Sequence, residues 1–217
     1  MQAEACFEAY LKQSKHFALL AANLQIHGVM ETLGELDYIV RDLKTEKIVH
    51  IELACKFYLY DEKAGLSEEE KWIGPNRKDR LFDKLEKVKL KQFPLLQTNE
   101  TIQKLAELTI QKPSSQQLCL KAFLFLPKKM SVEIFPKTFK ECIVGYYIKN
   151  NDLEEDETAL YAVPTKKEWL FPINSLTDWH NFSEIKELIE AQLKINKSPL
   201  IYKKTPHTVE RFFVVWW

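Results

Sequence analysis

Two segments carry carboxylates at a spacing that can do chemistry: Glu35 and Asp37 in ELDYIVR, and Glu52 with Lys56 in KIVHIELACKFYLY. In an extended strand successive side chains point to opposite faces, so His50, Glu52, Ala54 and Lys56 share one face while Ile51, Leu53, Cys55 and Phe57 share the other. The second set reads as core, which leaves a carboxylate and an ammonium in the middle of a strand where unpaired charge is costly. Glu35 and Asp37 share a face in the same way, and the polar DLKTE at 42–46 has the length of a hairpin connection. Hairpin pairing can therefore bring both acids beside Glu52. Carboxylates grouped like this raise one another's pKa or need a cation between them, and hard oxygen ligands suit Mg²⁺ or Mn²⁺. The same spacing also describes a surface ladder in which Lys56 pairs with an acid across the hairpin, and spacing alone favours that plainer reading.

A second chemical feature follows. From Lys71 to Lys91 stand eight basic residues, among them Arg77, Lys78, Arg80 and Lys84, against three acids, Asp79, Asp83 and Glu86. Such an excess can track a phosphate backbone in a salt-sensitive, sequence-independent way, or it can be a solvated helix face with ordinary ion pairs. Gly74 and Pro75 make a turn just before this run, where free backbone N–H groups can receive an anion with help from Arg77 or Arg80, although a plain helix entry fits the spacing as well. Gln92 ends the same run. His50 can ligate a metal or shuttle a proton, but a lone strand histidine is more often a hydrogen-bonded structural residue. The terminal FFVVWW offers either stacking platforms for bases or, more in keeping with strand alternation, core packing or a dimer contact.

The elements that must position these residues follow from periodicity. Phe7, Tyr10 and Leu11 stand at helical spacing and predict a helix over 3–13, which carries Glu8. HFALLAANLQI at 16–26 suits helix or strand, with strand favoured for its second half. Strands are predicted over 35–41, 47–60, 117–127 and 142–149, and helices over 78–92, with Leu81, Leu85 and Val88 on one face, and over 100–111. Beyond an acidic loop, NNDLEEDE at 150–157, come ALYAV at 159–163, KEWLFPI at 167–173, a helix over 183–195 and the strand-like RFFVVWW. Helices that follow a hairpin and precede another strand indicate a mixed α/β domain.

Composition bounds the function classes. In 217 residues, 31 basic and 31 acidic side chains cancel, so any polyanion site must come from local clustering. Four widely spaced cysteines without a C-x-x-C pair suggest reduced, mostly buried thiols rather than a zinc site or a disulfide framework. The N-terminal stretch lacks signal-peptide character and no apolar run reaches the ~20 residues of a membrane span, so a cytoplasmic protein without a membrane partner is expected. Five glycines leave little material for P-loop or Rossmann phosphate cradles.

Gly34, Glu35, Leu36, Asp37, Ile39 and Glu52 match the G-E-[IL]-D-x-[IV] strand and the V-E-V-K strand that follows it. In this the run LLAANLQIHGVMETLGELDYIVRDLKTEKIVHIELACKF resembles the PD-(D/E)XK nuclease core, most nearly its Holliday-junction-resolvase-like branch. Phe7-Glu8, Leu20 to Gln25, Trp72-Ile73-Gly74-Pro75-Asn76, Asp79-Arg80-Leu81 and the later KAFLFLP and KKEWLFPI segments are, together with the two strands, similar to an uncharacterised bacterial family of unknown function assigned to that superfamily. The similarity covers most of the chain from Cys6 onward.

The resemblance implies a restriction-endonuclease-like α/β fold, with a central mixed sheet flanked by helices over 1–127 and an α+β extension of the same domain over 128–217. It implies metal-assisted hydrolysis of phosphodiester bonds in DNA or RNA. Asp37 and Glu52 would hold Mg²⁺ or Mn²⁺, Glu8 would add a further carboxylate, Glu35 would be an accessory acid, the lysine would position water or stabilise developing charge, and Gln92 would be a candidate to face the site. One departure stands out: the superfamily places lysine two residues after the second acid, where this chain has Ala54. Lys56 lies two residues further on, a Cα displacement of roughly 6.8 Å along a strand. The alternative is therefore a catalytically silent nuclease fold used to bind nucleic acid or a protein partner, a second copy of the chain included.

Overall fold

The computed structural model describes residues 2–217. It begins with helix α1 (Gln2–Gln13) and the strands β1 (Phe17–His27), β2 (Thr32–Asp42), β3 (Ile48–Tyr60) and the short β4 (Trp72–Ile73). A helical run follows, made of α2 (Leu81–Lys87), a π-helical turn (Val88–Gln92) and α3 (Phe93–Leu95), and then α4 (Asn99–Glu107). After it come β5 (Ser115–Pro127), α5 (Lys137–Lys140), β6 (Ile143–Lys149), β7 (Leu160–Ala162), α6 (Phe182–Lys194), β8 (Leu200–Lys204) and β9 (Val209–Val215). Among the described residues nine strands form a mixed sheet, ordered β1-β2-β3-β5-β6-β9-β8-β7 with β4 on β3. The β1-β2-β3 and β7-β8-β9 pairings are antiparallel, whereas β6 runs parallel to both β5 and β9. The α/β class expected from the sequence is the class observed.

The chain divides into two compact units that interleave along the sequence: Met1–Cys55 with Asp83–Lys121, and Lys56–Phe82 with Ala122–Trp217. In the first, the alternation of β2 and β3 sorts two apolar layers. Tyr38, Val40, Val49 and Ile51 pack with Leu11 and Phe7 of α1, while Ile39 and Ile48 pack with Leu95, Leu96 and Leu105 of the helical segments. In the second, Leu59, Ile73, Phe125, Leu200, Phe213 and Val215 make one core, and Ile148, Phe182, Ile185, Ile189, Ile201 and Val214 another. Helix α6 is started by a capping box between Asn181 and Glu184, which satisfies two of the backbone donors that a helix start leaves free.

Several expectations shift at their boundaries. The ambiguous 16–26 segment is strand from Phe17 onward, because it pairs with β2 along its length. The helix predicted from residue 78 starts at Leu81. Residues 74–80 are held in a tight turn in which the Gly74 amide donates to the Asp79 carbonyl and the Arg77 amide to the Gly74 carbonyl. RFFVVWW is preceded by β8, a strand not foreseen, and Phe212, Phe213, Val214 and Val215 are buried, so core packing accounts for this segment. The thiols are free, but Cys6 is exposed and Cys55, Cys119 and Cys142 are only half-buried. Among the described residues no helix is long and apolar enough to cross a membrane.

Candidate functional site

The register of the β2–β3 hairpin decides which acids meet. Ile39 lies opposite His50, and directly opposed residues of an antiparallel pair share a face, so a step of two along each strand places Asp37 and Glu52 on that same face. Regular pairing ends at Tyr38 opposite Ile51. Beyond it the Leu53 amide donates to Asp37 Oδ2 at 2.7 Å, so a side-chain carboxylate receives a backbone amide of the facing strand. That bond anchors Asp37 where the strands part.

Glu52 is fully buried and so is His50. His50 Nε2 lies 2.9 Å from Glu52 Oε1, and Gln92 Nε2 donates to Glu52 Oε2, which provides for both carboxylate oxygens of a group that would be costly to bury alone. Gln92 Oε1 in turn accepts from Lys84 Nζ at 2.8 Å. On the other side Gln116 Nε2 lies 3.1 Å from His50 Nδ1 and donates to the Phe93 carbonyl at 2.9 Å. A continuous polar chain, from Lys84 through Gln92, Glu52 and His50 to Gln116, thus runs through the first unit.

The helical run explains how Gln92 and Lys84 meet across eight residues. Seven α-helical residues turn roughly 700°, about 20° short of two turns, whereas eight overshoot by about 80°. The π turn at Val88–Gln92, closed by the Phe93 amide on the Val88 carbonyl, inserts one residue and so returns position 92 to the face of position 84. Pro94 lies just beyond; it lacks the amide of a regular helical bond and its ring would crowd the carbonyl four residues back, so the wider turn relieves a conflict written in the sequence.

Burial drives Asp37 upward, partly opposed by the Leu53 amide; Glu52 adds to the rise, Lys84 counters it, and Glu35 adds to it, so that the carboxyl is pushed up to about 6. Tyr38, on the opposite face, is pushed up to about 12 by burial and then by Glu4, Asp37, Glu8 and Glu35. The folded state therefore holds a proton on Asp37 between about 3.8 and about 6 that the unfolded chain releases, so stability due to this group is full at lower pH and is lost as pH rises through about 6. Asp37→Asn keeps an acceptor for the Leu53 amide and removes the titration. With solvent screening of a half-exposed group allowed for, the wild type is expected to lose about 1 kcal/mol relative to Asp37→Asn on going from acid to neutral pH, read from urea midpoints across that range.

Of the other residues singled out in the sequence, Glu35 stays on the Asp37 strand face and acts on Asp37 through its charge. Glu8 belongs to α1, which packs against the Tyr38 face, and its carboxylate pairs with Lys12 at 2.6 Å. Among the described residues no three His, Cys, Asp or Glu side chains are grouped to hold a metal; of the expected trio Glu8, Asp37 and Glu52, the last two share a sheet face. Two carboxylates suit Mg²⁺ or Mn²⁺, which keep several waters and take one or two protein carboxylates alongside substrate oxygens. Burial is the main cause of the rise at Asp37, and such a cation would offset the part that Glu52 and Glu35 add.

Lys56 is in the second unit, where it pairs with Asp79 at 2.9 Å. The ladder partner expected across the hairpin is thus replaced by an acid from the turn after β4. Arg77 pairs with Asp61 at 2.8 Å and lies over the Trp217 ring, which fixes it as part of the turn. Arg80 lies over Phe82 and Lys78 is exposed. Of Arg77, Lys78, Arg80 and Lys84, only Lys84 belongs to the first unit.

Gln116 lies outside the strand expected over 117–127, because β5 begins two residues earlier, at Ser115. The available signal was a polar residue in the QQ pair at the head of an apolar strand. Comparison with curated proteins and with solved structures finds no match. A family model spans residues 1–215, nearly the whole chain, and the protein accordingly belongs to the family described as a domain of unknown function, DUF1853.

Proposed function

We propose that the chain is a PD-(D/E)XK-type nuclease that uses a divalent metal, Mg²⁺ or Mn²⁺, held by Asp37 and Glu52, to hydrolyse phosphodiester bonds in DNA or RNA. The observation that carries this reading is the pair of acids at the parting of β2 and β3, with Asp37 pushed up to about 6 by burial beside Glu52 and Glu35. When bound, the metal would activate water and neutralise charge on the phosphate. The chain's own groups set the stage: the Leu53 amide orients Asp37, while His50 and Gln92 hold Glu52. Lys84, tied to Gln92 and close enough to lower Asp37, supplies the ammonium that the motif lacks at Ala54, whereas Lys56 is spent on Asp79.

Calorimetric titration of Mn²⁺ into the wild type and into an Asp37→Asn/Glu52→Gln double variant, followed by cleavage assays on single-stranded DNA, duplex DNA and RNA, tests this. Binding and cleavage in the wild type, both lost by about 100-fold or more in the variant, are expected. Because the ionised form of Asp37 binds the metal, affinity is expected to rise with pH up to about 6 and then level off. Wild-type protein that binds no Mn²⁺, with or without nucleic acid, refutes the reading.

The engagement of both Glu52 oxygens by His50 and Gln92, with the Lys56–Asp79 pair, favours a second reading: a silent nuclease fold that binds nucleic acid or protein without cutting. Salt-dependent nucleic-acid binding that persists in the double variant, without cleavage by the wild type, would select it.

A further inference from the structure

We propose that Gln116 is a positioning residue for Glu52, acting through the tautomer of His50; as a statement about site assembly this rests on the reading of Glu52 as a metal-holding carboxylate. The Phe93 carbonyl can only accept, so the end of the Gln116 side chain that faces it at 2.9 Å must be the amide nitrogen. That nitrogen has two hydrogens, and the second points to His50 Nδ1 at 3.1 Å. A donor facing Nδ1 requires a lone pair there, which places the ring hydrogen on Nε2. Nε2–H then donates to Glu52 Oε1 at 2.9 Å.

The direction of every bond in the chain is thereby set from a backbone carbonyl. The opposite tautomer would place two lone pairs face to face at Glu52 and two hydrogens face to face at Gln116. His50 and Glu52 are fully buried, with the Phe93 ring edge-on to His50 at 6.2 Å, so the mismatch at Glu52 is not repaired by solvent. Glu52 Oε1 is consequently pinned as an acceptor, and the carboxylate plane is fixed for whatever Oε2 and its partner Gln92 present to a cation. The strand pairing of β2 and β3 does not supply this orientation; it comes from β5, more than 60 residues along the chain.

The test is the ring ¹⁵N spectrum of His50 together with Mn²⁺ affinity, in the wild type, Gln116→Leu and Gln116→Glu. The wild type is expected to show the Nε2–H tautomer. Gln116→Glu, nearly the same in shape but without the donor, is expected to move the hydrogen to Nδ1 and to weaken Mn²⁺ binding about tenfold or more, with Gln116→Leu between the two. A wild-type ring with its hydrogen on Nδ1 overturns the proposal outright, even if neither variant folds. Unchanged tautomer and unchanged affinity in Gln116→Glu overturn it as well. A wild type that binds no Mn²⁺ removes the metal reading, while the tautomer still decides whether Gln116 orders the His50–Glu52 pair.

Discussion

Glu52→Ala is expected to destabilise the protein by about 3 kcal/mol or more, because it strands two donors, one fully buried and one half-buried, at about 1–3 kcal/mol each. Those donors are His50 Nε2–H and the Gln92 amide. Glu52→Gln separates shape from acceptor count. Its oxygen can keep the His50 bond, but its NH₂ then meets the Gln92 NH₂, and turning the Gln92 amide to resolve this forfeits the bond from Lys84. A smaller loss of about 1–2 kcal/mol is therefore expected for Glu52→Gln. The measurement is chemical unfolding followed by far-UV circular dichroism. All five tryptophans (Trp72, Trp169, Trp179, Trp216 and Trp217) belong to the second unit, so fluorescence alone would not report directly on the first. Equal midpoints for wild type and Glu52→Ala would show that the acceptor role is dispensable.

Gly145→Ala should rival it in cost. A Cβ at position 145 would lie 2.1 Å from the Arg211 carbonyl oxygen of β9 and 2.9–3.0 Å from the Phe125 ring. Gly145 pairs with Phe125 in the parallel ladder, and Phe125 is fully buried with its ring edge-on to Phe213 at 4.8 Å, so the ring has little room to retreat. The carbonyl obstacle is backbone and cannot rotate away. An overpacking loss of about 3 kcal/mol is expected, at the high end for one added methyl because two rigid neighbours must move. Tryptophan fluorescence reads it, since the change is in the second unit. Phe125→Leu in the same chain frees the ring side only, so it should recover part of the loss and not all; full recovery would show that the β6–β9 spacing yields easily.

The sheet side of the site was legible in the chain, whereas on its helical side only Gln92 was anticipated, through the resemblance and not through spacing. Strand alternation correctly put His50 and Glu52 on one face and Ile51 and Leu53 on the other, since a period of two is a local property of extended backbone. The hairpin length put Asp37 within reach of that face for the same local reason. What alternation could not reveal is that this face is covered by the helical run reaching Gln92 and Phe93, which converts an apparent charged surface into a closed hydrogen-bonded interior. Glu8 shows the converse. Its helix was readable from Phe7, Tyr10 and Leu11, but only packing decides which sheet face a helix covers, and Phe7 and Leu11 took the Tyr38 side.

Lysine placement divides the same way. Sequence spacing registered that Ala54 stands where the motif wants lysine and left Lys56 as the nearest substitute. Folding sends Lys56 to Asp79 and brings Lys84 to Gln92, the latter because one extra residue in a π turn ahead of Pro94 re-aims a helix face by roughly a quarter of a turn. The amino-acid sequence by itself thus determined the site-bearing strands β2 and β3, their faces and the α/β class, all of which rest on short-range periodicity. The tertiary structure alone decided which polar groups close on Glu52, because hydrogen bonds between residues 40 and 66 positions apart depend on how distant elements pack and leave no local pattern.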